Sequence, residues 1–169
     1  QDFPAIICEV IEGYNVSLDA SKSTYFQMLQ QGLHLNKIIR KEKEFAESIQ
    51  RKYNADVILS DNRYGFRSSH AFNIFMTHQL SPPVPHFRKQ LSKQLSKHIN
   101  HFDCCWIPDS IEQPIVADLN QVELNIPKTM IGWLSRFEKE ELPPKQDYLF
   151  ISSGPLPERH RFEKQMHKL

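Results

Sequence analysis

The sequence predicts an α/β fold built on a parallel sheet with flanking helices. Short apolar runs end in polar residues, and longer stretches of helical periodicity lie between them. Strands that alternate with helices are typical of βαβ units, which form parallel sheets through right-handed crossovers. The 169 residues suffice for one domain with a core. No apolar run reaches the roughly 18 residues of a membrane span.

The chain begins with a strand candidate and a long helical stretch. Pro4–Val10 (PAIICEV) is a short apolar run, and Tyr14–Ser23 is polar, as a loop would be. Apolar residues recur at helical spacing over Thr24–Tyr53. We expect Gly32 to separate two helices within that stretch.

Four apolar runs predict the strands of the parallel sheet. They are uninterrupted rather than alternating, which is typical of a parallel strand covered on both faces. The runs are Asp56–Asp61, Asn73–Thr77, Cys104–Ile107 and Tyr148–Ile151.

The middle of the chain is basic. Residues 62–102 are 41 consecutive positions with six Lys or Arg and no acid, a formal charge of +6. Because the whole chain carries +1, the remainder carries −5. This asymmetry favours an anionic partner, and phosphate, nucleotide, anionic lipid and nucleic acid all fit the charge.

A basic amphipathic helix is predicted from His86 to His101. Its apolar residues recur every four positions, and Lys89, Lys93 and Lys97 lie on roughly the opposite side. This side is either the solvated face of a core helix or, together with Arg88, a surface that meets anionic lipid headgroups. Nucleic acid is not an expected partner, because the aromatic residues do not interleave with the lysines.

Ligands of open parallel sheets bind beyond the carboxyl ends of the strands, so the strand ends give the candidate site residues. His78 is either a general base or a hydrogen-bonded structural histidine. Asp109 is interpreted as a turn or cap residue. Small residues before the last helix would let a phosphate approach the main chain. The remaining candidates are Asp61, Asn62, Arg63, Tyr64, Gln79, Ser152, Ser153 and Gly154.

The three cysteines carry no redox or metal signal. Cys8, Cys104 and Cys105 have neither the spacing of a zinc site nor that of a disulfide framework. We expect buried thiols in a reducing cytoplasm and no metal site.

A domain boundary is predicted after Phe137. The charged, proline-bearing segment 138–147 has the composition of a linker. Residues 148–169 hold one strand and one helix, which cannot bury their own faces. They either join the preceding sheet or open a second domain.

Five motifs, in this order, resemble bacterial glycosyltransferases related to family 28, the group of the lipid-linked N-acetylglucosaminyltransferase of peptidoglycan synthesis. The motifs are DVILSDNRYGF (56–66), IFMTHQL (74–80), CCWIPD (104–109), IGWLSRF (131–137) and LFISSGPLPER (149–159). The resemblance implies the GT-B architecture, two Rossmann-like domains that face each other across a cleft. It implies an acceptor-side domain at 1–137 without its first strand and glycine-rich loop, a linker at 138–147, and the first βα unit of the donor domain at 148–169.

The same resemblance assigns roles to individual residues. His78 and Gln79 fall where acceptor-facing polar residues are expected, and Asp61–Tyr64 falls at the mouth of the cleft. Arg136 and Ser152–Gly154 fall near the donor diphosphate. IGWLSRF is the strand that leads out of the first domain.

The implied function is transfer of a sugar, with UDP-sugar as the expected donor, to a hydroxyl acceptor that is lipid-linked in the family. His78 is the candidate base, no cofactor beyond the nucleotide-sugar co-substrate is expected, and the expected location is the cytoplasm at the inner face of the plasma membrane. We expect these 169 residues alone to be inactive. A non-catalytic module that binds anionic membranes and a GT-B nucleotide-sugar epimerase are the alternatives.

Overall fold

A four-stranded parallel sheet and three helices make up the described part of the chain. The computed structural model describes residues 6–11, 24–81, 88–115, 120–135 and 156–166. The elements are α1 (Thr24–Tyr53), β1 (Val57–Asp61), β2 (Phe72–Met76), α2 (Arg88–Ile99), β3 (Cys104–Ile107), β4 (Lys128–Met130) and α3 (Leu156–Met166). The chain divides into two units, Gln1–Leu134 and Ser135–Leu169. None of the helices described combines the length and apolar character needed to cross a membrane.

All four strands run parallel in the order β1-β2-β3-β4. The register pairs Leu59 with Ile74, and Phe75 with Cys105. The α/β prediction is therefore confirmed, and the carboxyl ends of the strands share one edge of the sheet.

The core lies on one face of the sheet. Phe75, Cys105 and Ile107 are buried there, and Ile99 of α2 and Phe102 pack in the same cluster. The prediction that the apolar runs are covered on both faces is wrong for β1. Its side chains alternate between buried and exposed, with Val57 55% and Leu59 47% exposed. An apolar run shows what a strand can bury, but the neighbouring layers decide which face is covered.

Helix α1 is continuous, so the predicted break at Gly32 is wrong. A glycine inside a helix costs only about 1 kcal/mol relative to alanine, which is too little to break a long helix. The helix ends at Tyr53, and Asn54 follows with a φ of 50°. Asparagine tolerates this left-handed conformation, which is common just after a helix.

The connection between β1 and β2, residues 62–71, contains no helix and packs against α1. A side chain at Gly65 would overlap the main-chain carbonyl of Ile39, so only glycine permits this approach. Phe45 and Phe66 lie with ring centroids 6.2 Å apart across the same contact. Two parallel strands are usually connected through a helix. Between β1 and β2 that helix is missing, and α1 supports the connection instead.

Helix α2 lies within the predicted range, and residues 86 and 87 are outside the described residues. Its buried positions are Ser92, Ser96 and Ile99, whereas the expected core residues Leu91 and Leu95 are only half-buried. The Ser92 and Ser96 hydroxyls each donate to a carbonyl four residues earlier, at 2.7 Å. Because these hydroxyls are satisfied locally, the helix can turn its serine side inward.

Three further sequence predictions fail. Residues 6–10 of the predicted strand Pro4–Val10 are exposed and form no strand, and Cys8 is exposed rather than buried. Residues 131–135 of IGWLSRF also form no strand. The strand lies just before them, at Lys128–Met130. Tyr148–Ile151 lies outside the described residues.

Candidate functional site

The carboxyl edge of the sheet brings the first two predicted strand ends together. Asp61 is paired with Met76 in the register, and the Asn62 amide donates to the Met76 carbonyl at 3.0 Å. Asn62 has a φ of 54°, which turns the chain directly after β1. Asp61–Arg63 therefore lies beside the segment that begins at Thr77.

Arg63 is held at this edge by a buried carboxylate. Its guanidinium Nη1 donates to Glu42 Oε1 at 2.9 Å, and the Gly65 amide donates to Glu42 Oε2 at 2.9 Å. Glu42 is 1% exposed, whereas the Arg63 side chain is 25% exposed. The Ser60 hydroxyl also donates to the Arg63 carbonyl at 2.6 Å. The main chain and the side chain of Arg63 are therefore both fixed.

The sequence-based interpretation missed Glu42. Ile39 and Ala46, which are both buried, stand three residues before it and four residues after it on α1. A single acid on the apolar side of a predicted helix is the signal that could have identified it.

At the end of β2, the chain presents His78 to solvent. The buried Thr77 accepts the Gln79 amide on its hydroxyl oxygen at 3.1 Å, which forms a tight local turn. The Gln79 side-chain amide donates to the Ser81 carbonyl at 3.1 Å. Gln79 thus supports the loop, while the exposed His78 is accessible to a ligand.

A groove of about 640 Å³ opens beside this edge. Asp61 and Arg63 line it together with Glu9 and Tyr53. Its apolar lining comes from residues 7–11, α1, β1 and the connection after β1: Ile7, Ile11, Phe45, Ile49, Leu59 and Phe66. The groove therefore combines an apolar wall with one carboxylate and one guanidinium from the predicted strand end.

Tyr64 is not among the residues that line this groove. Its ring lies 5.1 Å from the ring of Phe75 and packs against the core. Burial, with a smaller contribution from Cys105, raises the pKa of Tyr64 to about 12. The structure thus separates Tyr64 from the groove-lining members of the predicted set.

Asp109 organises a loop, as predicted. It is buried, and its Oδ1 accepts the amides of Ser110 at 2.9 Å and Ile115 at 3.0 Å. These bonds shape the chain after β3.

A second groove, of about 710 Å³, runs between α2 and residues 121–125. All four predicted basic surface residues line it: Arg88, Lys89, Lys93 and Lys97. The Arg88 Nε donates to the Ser81 hydroxyl at 2.7 Å, and Ser81 and Ser92 share a hydrogen bond of 2.9 Å. Of the described residues in the lining, Glu123 is the one acid.

The candidate donor-side residues, Arg136, Ser152, Ser153 and Gly154, lie outside the described residues. In the second unit, the described helix α3 holds an ion pair between Arg159 and Glu163 at 3.6 Å.

Comparison of the chain with protein-family models, with curated proteins and with solved structures finds no match. The resemblance to family 28 therefore stays a prediction. The residues and geometry described above carry the functional argument.

Proposed function

We propose that this chain is the acceptor-side part of a GT-B glycosyltransferase that moves a sugar from a UDP-sugar donor to a hydroxyl acceptor. The observation that carries the proposal is that Asp61–Arg63 and His78 follow two paired parallel strands at the same carboxyl edge of the sheet. This edge is where open α/β sheets bind their ligands.

The reaction is a direct displacement. The acceptor oxygen bonds to the anomeric carbon of the donor, the bond from that carbon to the diphosphate breaks, and the nucleotide diphosphate leaves. His78 takes the proton of the acceptor hydroxyl, because an imidazole ring nitrogen can accept a proton. The family resemblance implies that Arg136 and Ser152–Gly154 stabilise the charge that develops on the leaving diphosphate.

Arg63 and Asp61 bind and orient the acceptor in this proposal. The guanidinium is pre-positioned by Glu42, so little side-chain entropy is lost when it meets a substrate oxygen. The apolar wall of the adjoining groove suits an acceptor that carries an apolar group, such as a lipid-linked sugar.

The test uses the protein expressed from its complete coding sequence. Purified protein is incubated with a panel of UDP-sugars and with lipid-linked and soluble hydroxyl acceptors, and UDP release and glycosylated product are measured by mass spectrometry. We expect His78→Gln to lower the rate about 10²- to 10⁴-fold, the usual contribution of a general base. His101→Gln is the matched control, since His101 is another exposed histidine of the same unit.

Two outcomes would contradict this proposal. A complete protein that neither binds nor hydrolyses any nucleotide sugar excludes the transferase. A free epimerised sugar in place of a transferred sugar would instead identify a GT-B epimerase.

A further inference from the structure

The basic face of α2, formed by Lys89, Lys93 and Lys97, is a row of exposed cations along one wall of the second groove. The three lysines stand four residues apart, about one helical turn each, so they span about 12 Å along the helix. No ion pair joins any of them to an acid among the residues that the structure describes. The described lining of the groove adds Arg88 to the row and holds one acid, Glu123.

This face is electrostatically unfavourable for α2 by itself. The sequence of the helix, RKQLSKQLSKHI, contains no acid. Like charges at i,i+4 repel, and Lys89 in the first turn meets the positive end of the helix dipole, whereas Lys97 in the last turn lies at its favourable end. On α1, by contrast, Arg40 and Glu44 form an i,i+4 ion pair. An anionic partner of α2 would relieve this repulsion.

We propose that the basic face of α2 docks on the phosphate headgroups of an anionic phospholipid surface. Charge complementarity selects the partner, since a row of cations about 12 Å long matches many headgroups side by side. The described lysines form a line rather than converging on one point, as they would for a single small anion. Among the described residues that line the groove there is no aromatic side chain, which argues against a single-stranded nucleic acid.

The role of the buried serines supports this orientation. Ser92 and Ser96 are buried in the lining of this groove and satisfy their hydroxyls on the helix itself. The lysines beside them are exposed, so their long stems can extend the ammonium groups toward a surface. The proposal does not depend on sugar transfer.

The experiment is vesicle co-sedimentation with the full chain. The vesicles contain phosphatidylcholine alone, or phosphatidylcholine mixed with phosphatidylglycerol. We expect binding to the mixed vesicles only, and we expect it to weaken as salt is raised. Replacing all three lysines, as Lys89→Gln, Lys93→Gln and Lys97→Gln, should lower the partition coefficient on the order of 100-fold, about 5-fold for each lysine.

A charge-matched control distinguishes the effect of this face on binding from the effect of the net charge of the protein. Lys37→Gln, Lys43→Gln and Lys164→Gln together remove the same charge from exposed positions on α1 and α3, and we expect this variant to bind like the unmodified protein. Circular dichroism checks that both variants are folded. Equal binding to both kinds of vesicle, or equal loss in both variants, overturns the proposal.

Inorganic pyrophosphate tests the soluble alternative. Calorimetric binding of pyrophosphate without any vesicle binding would assign the face to a free anion and would also overturn the proposal. Neither the vesicle experiment nor the pyrophosphate experiment contains a nucleotide sugar, so their outcomes are independent of the transferase test.

Discussion

Helices α1 and α2 use their charged side chains in opposite ways. Glu42 and Glu47 of α1 turn toward the β1–β2 connection and bind its main chain and side chains. Lys89, Lys93 and Lys97 of α2 are instead exposed, and the buried polar positions of this helix are serines. The two carboxylates of α1 therefore support the fold, whereas the three lysines of α2 are available to a partner.

This difference follows from the two crossovers. The β1–β2 connection has no helix, so its polar groups need partners from another element, and carboxylates on α1 provide them. Helix α2 is itself the crossover between β2 and β3, and its main chain is satisfied internally. The comparison predicts larger stability losses from changes at Glu42 and Glu47 of α1 than from changes at the α2 lysines.

The largest expected loss is for Glu42→Ala. The substitution removes the carboxylate that accepts from both Arg63 and the Gly65 amide, and breaking a buried pair of this kind costs about 3 kcal/mol. Urea unfolding measures it. Glu44→Ala is the control. Glu44 is exposed and its ion pair with Arg40 is long, at 3.9 Å, so the pair contributes less than about 0.5 kcal/mol to stability. Similar losses in the two variants would refute the special role of Glu42.

Gly65→Ala tests the close approach of the connection to α1. A Cβ there overlaps the carbonyl of Ile39, which is main chain and cannot rotate away. We expect a loss of about 2 kcal/mol, as for other overpacked sites. Gly132→Ala is the comparison, since nothing lies within 4 Å of its added Cβ, and only its φ of 80° opposes the substitution. Its expected loss is about 1 kcal/mol, and a larger loss than at Gly65 would contradict the packing argument.

Glu47 makes a pH-dependent contribution. The Ser69 amide and then the Ser68 hydroxyl lower the pKa of Glu47 from 4.5 to about 2. A lowered pKa in the folded state means that the stabilisation is present above about pH 4.5 and disappears as the pH falls toward 2. Glu47→Gln should therefore be less stable than the unmodified protein at pH 7.

Urea unfolding at a series of pH values tests this prediction. The difference in stability between Glu47→Gln and the unmodified protein should narrow steadily below pH 4.5. A difference that stays constant down to pH 3 would show that the charge of Glu47 does not matter.

The α/β class could be predicted from sequence because its signals are local. The runs at β1, β2 and β3 and the periodicity of α2 are visible in short windows. Strand β4 was missed because Lys128–Met130 is short and not apolar, and it is fixed by long-range pairing of Lys128 with Cys105. Pairing of this kind leaves no local pattern.

The candidate site likewise has residues that local sequence patterns select and contacts that depend on tertiary packing. The strand-end rule selected Asp61, Arg63 and His78 as candidates, because it needs only the position of each strand. The contacts of Glu42 with Arg63 and Gly65, more than 20 residues away, depend on the tertiary packing of α1. The open face of β1 likewise depends on which layers cover the sheet, and no single run of residues encodes that.

The smallest expected effect is for Lys93→Gln. Lys93 is exposed and stands between Lys89 and Lys97, so its removal relieves repulsion along α2 and breaks no described ion pair. We expect the free energy of unfolding to change by less than about 0.5 kcal/mol, or to rise slightly. Thermal unfolding at low salt is the sensitive measurement, because salt screens the repulsion. A clear loss of stability would mean that Lys93 has a structural partner, and the contrast between a supporting α1 and an outward-facing α2 would then be wrong.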